Sequence, residues 1–274
     1  MTTDIQQPIT LCALLGLLTL ASLHPFRASD SAAPKLRPAL PPDQQKGWVL
    51  TFHDEFDGDK LDTTKWNDQY WHGRTHSNNE QQWYAEDGYE VAHGRLRLKG
   101  EKRTMGGMPY TSGMITSLDH FSQQYGLFEI RAKFPKGKGY WPAFWLLPIT
   151  RDWPPEIDVL EILGHEPNQV YFTTHWRDSA GKHQSKGFSW VGPDFSADYH
   201  TFSVEWKKGE VIWYVDDVER ARSTAGVPDE PMYVIANLAV GGDWPGNPDA
   251  TTVFPGYMDI DYIRVYQQRP SPGH

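Results

Sequence analysis

From Gly47 to Gln268 the chain alternates apolar and polar positions in short runs, with a turn signal after almost every run. In the stretch from Gly126 to Phe134, the side chains of Phe128, Ile130, Ala132 and Phe134 fall on one side and those of Glu129, Arg131 and Lys133 on the other, the period of a half-buried strand. Thr201–Trp206, Val211–Val215 and Met258–Tyr266 repeat the pattern and are rich in β-branched and aromatic residues. The turns are supplied by Lys136 to Gly139, by Lys208-Gly209 and by Gly241-Gly242-Asp243. No run places apolar residues at helical spacing over three turns. Many short strands with frequent turns predict an antiparallel sandwich or barrel, and the absence of a linker predicts one all-β domain over 47–268.

Flanking that domain, residues 1–34, 35–46 and 269–274 carry no strand pattern. The apolar run Ile9 to Leu23 has the length of a signal-peptide core and is shorter than the roughly 20 residues of a spanning helix. Residues 1–34 are therefore expected to be a signal peptide or an amino-terminal anchor, followed by a leader linker over 35–46. Met1 to Gln7 carries Asp4 and no Lys or Arg, unlike a usual signal n-region, so both readings stay open. Residues 269–274 are read as a tail. A secreted or periplasmic location is the expectation. Cys12, the only cysteine, would leave with a cleaved signal, which excludes a disulfide scaffold, a Cys nucleophile and a thiolate zinc site in the mature chain.

Composition narrows the partner. A formal charge of −9 over 274 residues argues against nucleic acid, whose phosphates need a basic surface, and suits a neutral substrate. Twelve Trp and 13 Tyr are unusual numbers; most of these rings must pack in the core, and a surplus can line a groove in which flat rings stack on sugars. A monomer is expected.

The candidate chemistry lies in Glu156-Ile157-Asp158-Val159-Leu160-Glu161. On a strand Glu156 and Asp158 share a face, and Glu161 has the wrong parity. A β-bulge at Val159-Leu160 restores the phase and points all three acids into one groove. Leaning inward, the two Glu carboxyls then reach the roughly 5–5.5 Å separation of a retaining glycosidase. One carboxylate must be ionised to attack the anomeric carbon, while the other must hold a proton for the leaving oxygen; a central Asp helps hold that proton by repulsion. The bare spacing is also met by solvated acids on an edge strand, but Ile157, Val159, Leu160, Ile162 and Leu163 make this strand strongly apolar.

This strand resembles the active-site strand of glycoside hydrolase family 16, in the longer form of its laminarinase-like branch. The resemblance runs from about Phe52 to Tyr266 and includes Asp54-Glu55-Phe56, Asn78-Asn79-Glu80, Trp141 to Trp145, Gly164 to Asn168, Asn237 to Gly242 and Asp261 to Tyr266. It implies a β-jelly-roll sandwich of two antiparallel sheets with a concave cleft, endo action on β-1,3 or mixed β-1,3/1,4 glucan, and net retention. By motif position Glu156 is the nucleophile, Asp158 its assistant and Glu161 the acid/base. The same resemblance makes Asn79, Trp83, Trp141 and Trp145 candidates for sugar contact. Trp244, in a turn-rich loop, is a candidate exposed platform. His165 and His175 lack the His-Glu-x-x-His spacing of a zinc site and are read as substrate contacts, His175 near the acid/base. No cofactor is required. Glu55, Gly94 and Asp261 resemble a structural calcium set, although two ordinary surface acids suit the same residues.

Two departures bear on the substrate. Trp153-Pro154-Pro155 abuts Glu156 after a short loop, and Met114 stands where an Arg is common. Both bear on the glycone side of the cleft and keep open a depolymerase of a bacterial exopolysaccharide. A non-catalytic β-glucan-binding lectin on the same fold is the alternative outside enzymes, and such proteins typically lack one of the three acids.

Overall fold

The computed structural model describes residues 47–75 and 77–269. The expected leader, linker and Cys12, and the tail residues 270–274, lie outside the described residues. Among the latter there are sixteen strands and no helix. In chain order these are β1 (Trp48–Asp54), β2 (Gln82–Tyr84), β3 (Tyr89–Val91), β4 (Leu96–Gly100), β5 (Tyr110–Ser112), β6 (Met114–Thr116), β7 (Gly126–Lys133) and β8 (Tyr140–Pro148). They continue as β9 (Glu156–Glu161), β10 (Gln169–Arg177), β11 (His183–Val191), β12 (His200–Lys207), β13 (Glu210–Val215), β14 (Val218–Ser223), β15 (Met232–Val240) and β16 (Gly256–Gln268).

Two antiparallel sheets face each other in a β-jelly-roll. The larger has the order β14-β13-β12-β7-β16-β4-β3, with β1 also paired to β16; the smaller has the order β11-β10-β9-β8-β15-β6. A short parallel pair, β2-β5, stands apart from both. Strand alternation decides what lies between the sheets. Phe128, Ile130 and Ala132 of β7 are fully buried, as their even spacing predicts, and meet Phe144 and Leu146 of β8, Ile157, Val159 and Leu160 of β9, and Phe172 of β10. Removing such side chains from water is the main term holding the sandwich closed, about 25 cal/mol per Å² of apolar surface.

A second apolar cluster lies under the chain between β1 and β6. Tyr70, Tyr84, Met114, Ala143, Trp145, Tyr233 and Ile235 pack there, so β15 is buried along its whole length. Met114 belongs to this cluster and is fully buried, so it contributes packing where an Arg would bring charge.

Strand β9 carries the expected bulge. Against β10, Glu161 pairs with Tyr171 and Asp158 with Thr173, so three steps on β9 match two on β10. Against β8, Leu160 pairs with Phe144 and Asp158 with Trp145, which leaves Val159 as the extra residue. Val159 and Leu160 both enter the core, and Glu161 returns to the face of Glu156 and Asp158. Across the sandwich, the buried Trp213 of β13 donates its indole N–H to the carbonyl of Asp158 at 2.8 Å, fixing the backbone beside the bulge.

Candidate active site

The outer face of the smaller sheet forms a cleft crossed by β8, β9, β10, β11 and β15. Glu156, Asp158 and Glu161 line its floor, with Trp141, Trp145, Trp153, His175, His183, Asn237 and Trp244 around them. Asp158 is the most enclosed of the acids, 3% exposed, whereas Glu156 and Glu161 are half-buried.

Each acid has its own partners. Glu156 Oε2 accepts a hydrogen bond from the Trp153 indole at 2.7 Å, and its Oε1 lies 3.7 Å from His175 Nε2. Asp158 Oδ2 lies 3.2 Å from the same imidazole nitrogen yet makes no hydrogen bond. Glu161 Oε1 accepts from the Trp141 indole at 2.9 Å. Burial and mutual repulsion push all three carboxyls above the usual range, because a second negative charge nearby disfavours ionisation. Glu161 is pushed up to about 8, by burial first and then by the charges of Glu156 and Glu80, against the Trp141 hydrogen bond. Glu156 is also raised by burial and by Asp158, but His175 and the Trp153 N–H oppose the rise. His175 and the Trp153 N–H thus favour the charged form of Glu156 against its burial, and Glu161 keeps its proton near neutral pH.

Beyond the acids, the walls differ. On the Glu156 side, His175 Nδ1 and His183 Nε2 are 2.9 Å apart, and the ring of Trp153 lies 4.7 Å from that of His183. Arg177 ties this wall down by donating to the carbonyls of Trp153 and Gly181. Burial and the neighbouring His175 and Arg177 charges lower the pKa of His183. Near Glu161, Trp244 meets Trp141 edge-on at 5.6 Å and Tyr171 at 4.7 Å, and is itself 41% exposed. Trp145 is buried and donates to Asn237 Oδ1 at 2.8 Å; Asn237 in turn donates to Tyr84, and Tyr84 reaches Glu80.

The structure brings together Glu156, Asp158, Glu161, Trp141, Trp145, His175 and Trp244 of the expected residues. His175 is opposite Glu156 in the strand register, so it lies at the Glu156 end of the acid strand and not beside Glu161, where the sequence places it. Three expected contacts do not line the cleft. Trp83 points away because Gln82 and Tyr84 on either side of it point inward, and its ring is packed on Gly106, where any Cβ would come within 2.1 Å. Asn79 donates to Asp243 Oδ1 at 2.8 Å, bracing the loop below Trp244. His165 is exposed in the turn after β9. Sequence reasoning missed His183, Asn237, Glu80 and the hydrogen bond from Trp153. The Asn78-Asn79-Glu80 and Asn237 to Gly242 segments carried a signal for two of them; His183 carried none.

The calcium set does not fit as expected. Both oxygens of Glu55 accept from Arg264, at 2.9 and 2.7 Å, and Asp261 is paired with Arg131, so guanidinium groups already neutralise both carboxylates. Gly94 occupies the turn between β3 and β4 with φ of 68°.

The model of the glycosyl hydrolases family 16 matches residues 75–264. An endo-1,3-1,4-beta-glycanase of Rhizobium meliloti (strain 1021) is 37% identical over 240 residues, covering 79% of this chain and 51% of its own length. The chain thus spans about half the length of that relative. A beta-glucanase of Rhodothermus marinus is 35% identical over 255 residues, 82% of this chain and 87% of the relative. Among solved structures, the laminarinase catalytic domain from Thermotoga maritima MSB8 superposes with a TM-score of 0.74 at 38% identity, covering 82% of this chain and 100% of that one.

Proposed function

This chain belongs to the glycosyl hydrolases of family 16, and we propose that it is a retaining endo-β-glycanase that cuts internal β-1,3 or mixed β-1,3/1,4 glucosidic bonds. The observation that carries the reading is the bulge at Val159, which sets three acids of graded environment on one cleft floor. In the first step Glu156 attacks the anomeric carbon while Glu161 gives its proton to the leaving glycosidic oxygen. The products are a covalent glycosyl-enzyme and a freed chain end. In the second step Glu161, now ionised, takes a proton from water; the water oxygen attacks the anomeric carbon and Glu156 leaves as a carboxylate. Two inversions give retention.

Asp158 supports the cycle from below. Burial and Glu161 oppose its ionisation, and an ionised Glu156 raises Glu161, so the three coupled carboxyls keep a proton among them when Glu156 is ionised. All bond-making groups are carboxyls of one chain, so the scheme calls for no cofactor and for no second subunit. The exposed ring of Trp244, supported by Trp141 and Tyr171, supplies a sugar platform, and the open cleft suits attack within a polymer. The name of the Rhodothermus relative, a beta-glucanase, supports a β-glucan as the polymer, and that of the Rhizobium relative, an endo-1,3-1,4-beta-glycanase, supports cutting within a β-linked chain.

A second reading concerns the polymer alone. The Trp153 wall beside Glu156, 46% exposed, favours a substrate that differs from plain laminarin, such as a bacterial exopolysaccharide. Incubation with laminarin, lichenan and bacterial exopolysaccharides, followed by mass analysis of the products, separates the two. Oligosaccharides from the first pair support the β-glucanase, release only from exopolysaccharide supports the second, and no release from any refutes both. Export belongs to the same proposal, supported by the apolar run Ile9 to Leu23.

A further inference from the structure

We propose that Glu156, Asp158 and His175 form a binding site for one borderline divalent ion of the zinc and copper class, and that occupation of it stops hydrolysis. The binding stands on geometry alone; the effect on hydrolysis rests on the role proposed above for Glu156.

The three residues each offer one donor atom, and these atoms lie within 4.8 Å of one another. His175 Nε2 is 3.2 Å from Asp158 Oδ2 and 3.7 Å from Glu156 Oε1. Bond lengths of about 2.0–2.2 Å in a tetrahedral shell put neighbouring donors roughly 3.3–3.6 Å apart. Small side-chain movements would complete such a shell, with its fourth position open to the cleft and to water.

An independent feature points to a ligand. Asp158 Oδ2 is buried, faces this space and has no hydrogen-bond partner. A buried carboxylate oxygen without a hydrogen bond is costly even with the His175 ring 3.2 Å away, and a cation would satisfy it. The outer shell is also in place. An imidazole that binds metal through Nε2 carries its proton on Nδ1, and here Nδ1 lies 2.9 Å from His183 Nε2, which can accept it. Glu156 is oriented by Trp153, and the Asp158 backbone by Trp213.

The donor set selects the ion. One imidazole and two carboxylates suit zinc or copper, whereas calcium takes six to eight oxygens. Ligation uses ionised carboxylates and neutral imidazole, so the proton shared within the acid cluster passes to solvent on binding. With its lone pair on the metal, Glu156 no longer attacks the anomeric carbon. The sequence pattern gave no hint of this site because its ligands come from two strands, without the spacing of a helical zinc motif.

Equilibrium dialysis of the full chain with zinc chloride at neutral pH tests the site. The expected result is one zinc ion per chain, no comparable uptake of calcium, at least tenfold weaker zinc binding in His175→Gln and a smaller loss in His183→Gln. Thermal melting checks that the variants fold. Hydrolysis by the wild-type chain should fall with zinc occupancy and return on adding a chelator. Absence of saturable binding, or equal binding by folded His175→Gln, overturns the proposal. Should that variant not fold, the visible spectrum of the cobalt-loaded wild-type chain decides: intense four-coordinate bands support the site and a weak six-coordinate spectrum overturns it. Zinc binding in a chain that hydrolyses no glycan would refute the enzymatic reading and leave the site standing.

Discussion

The indole N–H of Trp153 donates a hydrogen bond to Glu156 Oε2 at 2.7 Å, so the residue that walls the cleft also orients the carboxylate at its floor. This bond favours the ionised form of Glu156. Trp153→Phe keeps the ring and removes the donor. A hydrogen bond to a charged group contributes about 1.5–3 kcal/mol, so kcat should fall roughly 10- to 100-fold with a smaller change in KM. Because the lost donor stabilised the charged form, the acid limb of the pH–rate profile should also move to higher pH. Steady-state kinetics across pH checks both, and an unmoved acid limb would mean that Trp153 only packs.

Glu161 sets the alkaline side. With its carboxyl pushed up to about 8, it is protonated below that pH and lost as an acid above it. Activity on polymer should therefore decline as pH rises through about 8. The same shift has a stability consequence. A carboxyl raised above its unfolded value favours folding in its neutral form, and that contribution is lost as pH rises from the ordinary carboxylate range through about 8. Glu161→Gln should remove the alkaline limb together with most polymer activity. Its melting temperature should exceed that of the wild-type chain by a margin that grows between pH 5 and pH 9, as thermal melts at both pH values will report.

Trp213 acts from the opposite sheet. Trp213→Phe leaves the Asp158 carbonyl without its indole donor, at a cost of about 1–3 kcal/mol for an unmet buried group. Denaturant unfolding should show that loss, and activity should drop with it, since the bulge that phases Glu161 is the element released. Full activity in a destabilised variant would show that the bulge does not depend on this bond.

Trp244 contacts the bonded acids only through other rings, so its removal should separate binding from chemistry. Trp244→Ala should raise KM several-fold and leave kcat within about threefold, the signature of a contact made equally in ground and transition states. Kinetics on a soluble β-glucan measures the split.

Much of this arrangement was legible in the sequence because it is local. Parity alone required either a bulge or a misplaced Glu161, and the apolar Val159-Leu160 pair supplied the bulge. The core faces of β7, β12 and β13 were legible for the same reason. What escaped depends on pairing between strands. His183 reaches the cleft because the β10–β11 hairpin sets it opposite Arg177, beside His175 on the neighbouring strand. Nothing in the local pattern fixes that register. The placement of Asn79 and Trp83 rested on resemblance, and the alternation of the buried Gln82 and Tyr84 already held the contrary signal for Trp83.

The central claim is that Glu156 and Glu161 work by double displacement on a β-linked glucan. Proton NMR of the reducing ends released in the first minutes from laminarin or lichenan tests it most directly. The account predicts β-anomers first, with α-anomers growing in later by mutarotation, and no release at all from Glu156→Gln. Initial release of α-anomers, or undiminished release by that variant, would contradict it.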